Sequence, residues 1–520
     1  MFSSFDAACA SSYINIKKSM MNVASASNIL LFHNLGTKSH LHMIFPIIDQ
    51  LLENGHSVTG VFYASAGVEH NNYTELVIPD LYGAMIDRVS DLYTGNQNKG
   101  RTFLDPSHLI TMFSEWENII TGGTRMFQTP AFKSLASSNF DLVLTFNPWG
   151  FYFGDLFDCP VIVFSPPGAF PSHTQLLGNP FNPSYQPVLT NDFSDPTSFL
   201  QRAKNFAMYH VMDLIFRRFA DSVVTSSMRK QIGYQGPTMF EIAERRLALI
   251  LSNSHFITHT PQPLLPNVVD VGGIHINSKQ KPLPKDLKKF LDLAVNGAVY
   301  VSFGSAIRTS LMSAEKITIL MDSFKYLNVP VILKWDENLT DVTDNIFVRQ
   351  WLPQQEILSH PNVKVFVTHG GLLSVMEALH TETVMVGIPL ATDQFANLGR
   401  ASKHNIAKQL NWDDLTTESL VAAISNAMKN NSMKSSMRKL GRLFRDEKES
   451  PLERAVWWIE FVLRNKGASF FKPESLNLFW YQYYLLDVLL VLFLTPFLSI
   501  LVLVKLILLY SSNTQKEKVD

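Results

Sequence analysis

A glycine pair at the junction of an apolar segment and a helical segment supplies groups that could bind a diphosphate. The residues Val363 to Thr368 (VKVFVT) predict a buried parallel strand, and His369, Gly370 and Gly371 follow it directly. The apolar residues after the glycines predict a helix. Because the backbone N–H groups and the dipole at a helix N-terminus attract anions, the sequence predicts a diphosphate site at the carboxyl end of this strand.

Groups suited to the rest of a nucleotide-sugar lie on both sides of this junction. Upstream, Trp351 stands two residues before Pro353, and an indole offers a flat face to a base, worth roughly 1–3 kcal/mol. Downstream, Val384 to Ile388 predicts another strand, and Asp393 and Gln394 follow where they can hydrogen-bond sugar hydroxyls. Each motif alone is commonly a packed loop aromatic, a tight turn or solvated surface, whereas the three in this order favour a nucleotide-sugar.

In this order, the motifs of Ile346 to Arg400 resemble the signature of the UDP-glycosyltransferases. This inverting, metal-independent family includes the animal UDP-glucuronosyl- and UDP-glucosyltransferases. The resemblance implies that no cofactor is needed beyond the UDP-sugar itself. It assigns the uracil to Trp351 and Gln354, the ribose to Glu377, the diphosphate to His369 and Ser374 beside Gly370 and Gly371, and the donor sugar to Asp393 and Gln394.

A second phosphate contact is implied earlier in the same half of the chain. Ala298 to Gly304 (AVYVSFG) predicts a strand, and Ser305 stands at the predicted start of a helix. A Gly-Ser pair there can give backbone and hydroxyl donors to a phosphate, although the pair alone is also an ordinary N-cap. Ser305 resembles the family's second phosphate contact. Further strands are predicted at Val331 to Lys334 and at Ile346 to Arg349.

A βαβ unit near the amino terminus places a histidine at the start of its helix. Asn28 to His33 and Ser57 to Tyr63 predict strands, and the apolar stripe of Leu41 to Glu53 predicts the intervening helix. In the family, the histidine that matches His40 removes the proton of the acceptor hydroxyl, and an ordinary pKa near 6.5 suits that role. The alternative is a structural histidine at a helix N-terminus. Three neighbouring histidines are interpreted as structural: His33, His42 and His56.

Two positions depart from the family pattern. The family pairs this histidine with a carboxylate after a later strand, but here the strand Phe140 to Thr145 is followed by Phe146. Asp141 opens that strand and is expected to lie a full strand length from its carboxyl end. Loss of the equivalent acid in hydrolytic triads costs about 10⁴-fold in rate. Glu382 replaces a family glycine, which predicts the loss of a left-handed backbone position and a shift of the following loop.

The acceptor pocket has no motif of its own. Ser165 to Pro196 is rich in Pro, Asn and Ser and predicts a long loop. We interpret it as an acceptor-side wall because it carries Phe170, Phe181 and Tyr185. The donor sugar stays open between glucose and glucuronate, since a glucuronate carboxylate favours a nearby cation and four candidates are unplaced: Arg308, Lys334, Arg349 and Arg400.

An uncharged apolar segment near the carboxyl terminus predicts a membrane span. Val488 to Val504 has no charged residue, and the apolar pattern continues to Tyr510, which satisfies the roughly 20 residues that a span needs. The aromatic residues of 479–484 suit an interfacial belt, and Lys516 and Lys518 predict a cytoplasmic tail. The end of the chain also resembles a dilysine retrieval signal. We therefore expect a single-pass type I protein of the endoplasmic reticulum membrane with a lumenal body.

A lumenal body requires an export signal. Residues 1–26 form a weak candidate, with Lys17-Lys18 before a short apolar segment and Ala24-Ser25-Ala26 as the cleavage motif. Removal of this segment would leave Cys159 as the one cysteine, so no disulfide is expected. Triplets that fit the N-glycosylation pattern begin at Asn72, Asn338 and Asn430.

The alternation of strands and helices predicts an α/β fold with two doubly wound Rossmann-like domains. The resemblance implies that these domains face each other across a cleft, the GT-B arrangement, and a transmembrane helix follows. The expected segments are an acceptor-binding domain at 27–280, a UDP-sugar-binding domain at 281–445, terminal helices that pack back at 446–484, a transmembrane helix at 485–510 and a cytoplasmic tail at 511–520.

The function implied is the transfer of a hexose from a UDP-sugar to a hydroxyl of a small lipophilic acceptor. His40 is the expected base of a single inverting displacement, and no metal is expected because no Asp-x-Asp pair lies near the donor motif. Lys and Arg number 44 against 45 Asp and Glu, so nucleic acid is excluded as a partner on charge. The expected partners are the donor, the acceptor and the membrane, and a homo- or hetero-oligomer stays open.

A second function class competes with this one. The chain is alternatively a non-catalytic or attenuated UDP-sugar-binding membrane protein, which Phe146 and Glu382 favour. The intact donor motif opposes this alternative, because drift after a loss of activity should erode that motif as well.

Overall fold

A computed structural model gives the fold. It describes residues 26–33, 38–78, 124–146, 149–169, 171–188, 197–277, 281–305, 307–337, 339, 342–390 and 393–516. The chain divides into two compact units, Met1–Ser469 and Phe470–Asp520. Residues 1–25, which make up almost all of the candidate export signal, and the last four residues lie outside the described residues.

The first unit contains two sheets whose described strand pairs are all parallel. The strands of the first sheet are β1 Asn28–His33, β2 Ser57–Phe62, β3 Tyr73–Val77, β4 Leu142–Thr145, β5 Val161–Ser165, β6 Leu247–Ser252 and β7 Val268–Asp270. Those of the second are β8 Ala298–Ser302, β9 Val331–Lys334, β10 Ile346–Arg349, β11 Val363–Thr368, β12 Val384–Gly387 and β13 Ala407–Gln409.

Helices alternate with these strands through most of the first unit. Those associated with the first sheet are α1 Lys38–Glu53, α2 Pro130–Ala136, α3 Trp149–Leu156, α4 Pro171–Thr174, α5 Phe199–Phe219, α6 Thr225–Ile232 and α7 Met239–Arg246. The next are α8 Lys285–Asp292, α9 Ala314–Tyr326, α10 Gln354–Leu358, α11 Leu372–His380, α12 Gln394–Lys403, α13 Thr417–Lys429, α14 Asn431–Arg445 and α15 Pro451–Asn465. The second unit contains α16 Trp480–Tyr483 and α17 Leu486–Lys516.

The strand order of each sheet reverses once. The first sheet runs β3-β2-β1-β4-β5-β6-β7, and the second runs β10-β9-β8-β11-β12-β13. In a doubly wound sheet a ligand crevice opens at the carboxyl ends of the strands where the order reverses. The two crevices therefore lie beside His33 and Phe146 in the first sheet and beside Gly304 and His369 in the second. The predicted α/β fold of two doubly wound domains is confirmed.

The central strands are mostly apolar because helices cover both faces of a parallel sheet. Phe32 of β1 contacts Phe153 of α3 with ring centroids 4.6 Å apart. Tyr300 of β8 stacks on Phe366 of β11 at 5.1 Å, which fixes the direction of its hydroxyl. A fully buried aromatic side chain of this kind contributes about 1.5–3 kcal/mol. The cores thus hold in place the strand ends that carry the candidate site.

The structure bears on three local predictions, which concern Asp141, Ser305 and the loop at 165–196. Asp141 lies at the amino end of its strand, where its carboxylate accepts a hydrogen bond from the N–H of Asn28 at 2.8 Å, as predicted. The prediction of a helix start at Ser305 is wrong, since the next α-helix, α9, begins after Ser313. The Ser313 hydroxyl accepts a hydrogen bond from the N–H of Lys316 and so caps this helix. The long loop expected at 165–196 contains the short helix α4 and a 3₁₀ turn at Gln175–Leu177.

The last helix of the first unit packs on the first sheet, whereas the helix before it packs on the second. An added Cβ at Gly441 of α14 would lie 2.6 Å from the carbonyl of Leu379 in α11. On α15, Glu460 accepts a hydrogen bond from Asn54 Nδ2 at 2.6 Å, and Arg454 Nη1 donates to the Asp270 carbonyl at 2.8 Å. The backbone therefore crosses between the two sheets twice, once after β7 and again between α14 and α15.

The second unit is dominated by one apolar helix. Within α17, Leu486–Ser511 is a stretch of 26 residues that is long and apolar enough to cross a membrane, and none of it is buried. Pro496 lies inside the helix, which membrane helices tolerate. The predicted membrane span is therefore present as a helix of the required length and composition.

Candidate active site

The imidazole of His369 lies between the backbones of two glycines at the second crevice. A Cβ added at Gly304 would come within 2.5 Å of His369 Cε1, and one at Gly371 would come within 2.7 Å of Nε2. Gly304 also has a φ of 80°, the left-handed region that favours glycine. The two glycines thus make room for the ring at the ends of β8 and β11. Ser305 is partly buried on the same loop as Gly304.

His369 is neutral near pH 7. Its pKa is lowered to about 4, mainly by burial and secondly by the charge of Lys334. A neutral imidazole has one N–H donor and one acceptor nitrogen. Its buried Nδ1 has no hydrogen-bond partner within the described part of the chain. The ring is therefore equipped to donate one hydrogen bond to a phosphate oxygen.

The turn from β11 into α11 is fixed by close packing. Gly370 has a φ of 85°, and an added Cβ there would lie 2.4 Å from the side chain of Leu398. Its carbonyl accepts a hydrogen bond from Asn397 Nδ2 at 3.1 Å. Gly371 is the N-cap residue of α11, and Ser374 is buried in the first turn. The first N–H groups of α11 thus begin beside His369, the arrangement that suits an anion.

Gln354, Ser374 and Glu377 form a hydrogen-bonded cluster. Tyr300 Oη donates to Gln354 Oε1 at 3.1 Å. Gln354 Nε2 in turn donates to Ser374 Oγ at 3.1 Å and to Glu377 Oε2. The structure therefore brings together the residues predicted to hold the uracil, the ribose and the diphosphate.

Glu377 is a buried carboxyl group whose pKa is raised to about 7. Burial is the main cause, and the hydrogen bonds from Gln354 and Gln355 oppose it. Gln355 Nε2 donates to Glu377 Oε1 at 3.1 Å. The Nε2 atom of His275 lies 3.6 Å from the same oxygen, but burial lowers the pKa of His275 to about 3, so the contact is not an ion pair. Sequence reasoning missed Gln355 and His275, which carry no motif.

Trp351 presents its indole at the cleft between the two sheets. The side chain is 57% exposed. The ammonium of Lys334 lies 5.2 Å from the indole centroid. The ring of His42, from α1, lies 6.0 Å from it with the planes inclined by 30°. The helix that carries His40 therefore reaches the tryptophan predicted to hold the base.

Lys334 places a positive charge close to both His369 and Trp351. Its Nζ donates a hydrogen bond to the carbonyl of Gly304, and its charge lowers the pKa of His369. Two of the other three candidate cations are engaged elsewhere. Arg349 pairs with Asp286 on the surface at 2.7 Å, and Arg400 binds the Thr258 carbonyl. The third, Arg308, precedes the 3₁₀ turn Thr309–Leu311.

Asp393 and Gln394 begin α12 with side chains oriented by local hydrogen bonds. Asp393 Oδ2 accepts a hydrogen bond from Asn397 Nδ2 at 2.8 Å. Gln394 Oε1 accepts one from the N–H of Leu390 at 2.8 Å. Because Asn397 also binds the Gly370 carbonyl, the Asp393 side chain is connected to the glycine turn.

The predicted loss of a left-handed backbone position at Glu382 is wrong. Glu382 itself adopts the left-handed conformation, with a φ of 60°, so the left-handed position is kept. Its carboxylate pairs with the guanidinium of Arg445, which also donates to the His380 carbonyl. A non-glycine residue costs roughly 1–2 kcal/mol in this conformation, and the contacts of Arg445 offset part of that cost.

His40 lies in the first turn of α1, at the first crevice. Its pKa is lowered to about 4 by burial, so the imidazole is neutral near pH 7. Its ring centroid lies 6.2 Å from that of Phe146 and 6.1 Å from that of His33. Phe146 packs on Phe164 at 5.1 Å. The position after β4 thus places an aromatic ring, and no carboxylate, beside His40.

Part of the predicted acceptor wall packs on a neighbouring helix. Phe181 stacks on Tyr209 of α5 with ring centroids 4.4 Å apart, whereas Tyr185 is 41% exposed. Phe170 lies outside the described residues. A role of these side chains in acceptor binding stays a prediction.

Two doubly wound sheets, with phosphate-compatible groups at the crevice of the second, define the GT-B class of glycosyltransferases. The structure is similar to Arabidopsis thaliana UGT89C1 complexed with UDP-L-rhamnose. The TM-score is 0.55 and the identity 17%, over 85% of this chain and 99% of that one. It is also similar to a UDP-glucosyltransferase from Polygonum tinctorium capable of glucosylating indoxyl. The TM-score is again 0.55 and the identity 14%, over 85% and 99% of the two chains. These likenesses show the fold.

The sequence comparisons show the family. Residues 30–519 match the model described as UDP-glucoronosyl and UDP-glucosyl transferase. The chain is 33% identical to UDP-glycosyltransferase UGT4 of Dactylopius coccus over 94% of this chain and 95% of that protein. It is 30% identical to human UDP-glucuronosyltransferase 2B7 over 86% and 87% of the two chains. The chain belongs to the UDP-glucuronosyl and UDP-glucosyl transferase family. It is a transferase of glycosyl groups from UDP-sugars, and the non-catalytic alternative is not favoured.

Proposed function

We propose that this enzyme transfers glucose or glucuronate from the UDP-sugar to a hydroxyl of a small lipophilic acceptor, with His40 as the general base. The observation that carries the proposal is the contact of His42 with Trp351 at 6.0 Å. This contact joins the start of α1, where His40 lies, to Trp351, the residue predicted to bind the uracil. The general base, His40, and the donor site therefore share one cleft.

The reaction is a single displacement at the anomeric carbon. The neutral imidazole of His40 takes the proton of the acceptor hydroxyl as its oxygen attacks. The new carbon–oxygen bond forms while the bond to the UDP oxygen breaks, and the configuration inverts. Burial lowers the pKa of His40 to about 4, so the ring is present in its unprotonated form throughout the neutral range.

The leaving diphosphate is stabilised by groups of the second sheet. Lys334 supplies a positive charge, His369 supplies an N–H donor, and the N-terminus of α11 supplies backbone donors beside Gly370 and Gly371. Ser305 and Ser374 add hydroxyl groups. These donors take the place of a metal ion, and we propose that the reaction is metal-independent.

The remaining contacts follow the parts of the donor. Trp351 and Gln354 hold the uracil, Glu377 accepts hydrogen bonds from the ribose, and Asp393 and Gln394 bind the hydroxyls of the hexose. Support for the first two assignments comes from the cluster that joins Gln354 to Glu377. The role of Lys334 differs between the two donors. With UDP-glucose its ammonium binds the diphosphate alone, whereas with UDP-glucuronate it also binds the sugar carboxylate.

The protein is proposed to be anchored in the endoplasmic reticulum membrane by α17, with the first unit in the lumen and the tail in the cytoplasm. The apolar stretch Leu486–Ser511 supports the anchor, and the carboxyl-terminal lysines support the orientation. A homo- or hetero-oligomer is compatible with this arrangement.

Microsomes that contain the full chain test the proposal. Labelled UDP-glucose and UDP-glucuronate are offered with a panel of phenols, with and without a metal chelator. We expect turnover that chelator does not reduce and that His40→Gln lowers by at least about 10²-fold. Competition between the two donors identifies the hexose. Retained UDP binding without turnover by the wild-type enzyme would instead support an attenuated binding protein.

A further inference from the structure

His33 is a fully buried histidine at the end of β1. Its exposure is 0%, and its ring packs on Phe146 at 4.0 Å and edge-on against Tyr63 at 5.6 Å. Neither ring nitrogen has a hydrogen-bond partner within the described residues. The imidazole thus occupies an aromatic pocket that an apolar ring would also fill.

Such a residue is costly for stability. A buried polar group without a hydrogen bond destabilises the fold, and a phenylalanine in the same pocket would avoid that cost. Buried polar atoms without partners in a native fold call for an explanation in function or in an additional bound species. The explanation offered by the surroundings of His33 is its neighbour His40.

The two histidines face the same crevice. Their ring centroids lie 6.1 Å apart with the planes inclined by 51°. Phe146 contacts both rings, at 4.0 Å and 6.2 Å, and therefore fills the place where an acid after β4 would stand. A separation of this size is too long for a direct hydrogen bond but suits one bridging water or a small movement of the His40 ring.

We propose that His33 is a positioning residue for His40 and offers it a hydrogen-bond acceptor of a kind that the side chain of Phe146 cannot provide. The inference rests on the proposed role of His40 as base. When His40 takes the acceptor proton on one nitrogen, its other N–H donates, directly or through one water, to an unprotonated nitrogen of His33. His33 keeps its own proton, so the imidazolium is stabilised without a second transfer.

The groups around His33 keep it in the required neutral form. Among the residues that the structure describes, the titratable side chains of His40 and Tyr63 face its ring, and Phe146 packs against it. The pKa of His33 is lowered well below its usual value by burial and by the charge of His40. A neutral ring can accept a hydrogen bond, whereas a protonated one would repel the His40 imidazolium.

The test compares His33→Phe, His33→Gln, Phe146→Asp and the double variant His33→Phe/Phe146→Asp, with His40→Gln as the base control. His56→Phe, which removes a buried imidazole just before β2, at the amino ends of the strands and away from the crevice, is the control for folding. For each full-length enzyme, kcat and KM for the UDP-sugar are measured against pH, and UDP binding and Tm report folding.

We expect His33→Phe to lower kcat roughly 10²-fold with KM for the UDP-sugar nearly unchanged. Because the imidazolium of His40 loses an acceptor, the pKa of His40 falls. The acidic limb of the pH profile of kcat therefore moves to lower pH. Phe146→Asp should move that limb to higher pH and, in the double variant, restore activity at least about tenfold. His33→Gln, which keeps an acceptor, should retain more activity than His33→Phe.

Two results would overturn the inference. One is a wild-type kcat for a folded His33→Phe enzyme. The other is a loss of activity without movement of the acidic limb and without rescue by Phe146→Asp, which would mark His33 as structural. Full activity of His40→Gln is a different outcome, because it rejects the proposed base itself.

Discussion

The ring of His42 lies 6.0 Å from the indole of Trp351, with the two planes inclined by 30°. His42 belongs to the helix that follows the first strand of the first sheet, and Trp351 follows a strand of the second. This contact joins the two halves of the site at the face on which a base would stack. Four predictions follow from the residues around it.

Trp351→Ala should weaken UDP binding roughly 5- to 150-fold. The reason is the loss of base stacking, worth about 1–3 kcal/mol. Isothermal titration of the full-length enzyme with UDP measures the change. Trp457→Ala is the matched control, since Trp457 is also partly exposed but packs on Phe461 of α15. Equal affinity of the Trp351 variant and the wild type would reject the assignment of the uracil site.

Glu377 should make UDP binding depend on pH near neutrality. Its pKa is raised to about 7 by burial, and ribose hydroxyls donate best to an ionised carboxylate. Below pH 7 the free enzyme must therefore lose a proton to bind, and affinity should fall by up to tenfold for each pH unit. Glu377→Gln removes this step but not the titration of UDP itself. A comparison of the two Kd profiles isolates the contribution of Glu377, and identical profiles would contradict it.

Lys334→Gln should raise KM for the UDP-sugar and weaken UDP binding roughly 10- to 100-fold. A charged hydrogen bond to a phosphate is worth about 1.5–3 kcal/mol. Arg349→Gln is the control, because that guanidinium forms a surface ion pair with Asp286 and should leave both quantities unchanged. If uridine binding falls as strongly as UDP binding in Lys334→Gln, Lys334 supports the stacked indole and not the diphosphate.

Gly304→Ala should damage the site more than its backbone strain explains. Gly304 and Gly55 both have left-handed φ values, 80° and 90°. An added Cβ at Gly304 would lie 2.5 Å from His369, whereas nothing lies within 4 Å of one at Gly55. Gly55→Ala should therefore lose about 1–2 kcal/mol of stability, and Gly304→Ala should also lose UDP affinity. Denaturant unfolding and UDP titration measure the pair, and equal effects would show that the collision is relieved elsewhere.

Much of the donor site could be predicted because its residues are close in sequence. Trp351, Gln354, His369 and Glu377 lie within one short segment in which each strand is followed by its ligand groups. The roles remain predictions, but the cluster from Gln354 to Glu377 is present. His275 and Lys334 were harder to place, because an isolated histidine or lysine carries no signal until the chain brings it beside the motif.

Two errors have local physical causes. A Gly-Ser pair is compatible with both an N-cap and a turn, so the sequence wrongly predicts a helix start at Ser305. In the structure Gly304 takes a left-handed turn, and Ser313 provides the cap instead. The sequence predicts that Glu382 abolishes a left-handed position, but the tertiary contact with Arg445 holds the residue in that conformation.

The double crossing of the backbone between the sheets limits how the cleft can open. One connection follows Asp270 and the other precedes α15, which is tied to Asn54 and to the Asp270 carbonyl. Two points of attachment define a line, so relative rotation of the halves is confined to an axis near it. Substrate entry should therefore change the separation of Trp351 from α1 by a hinge rotation about this single axis.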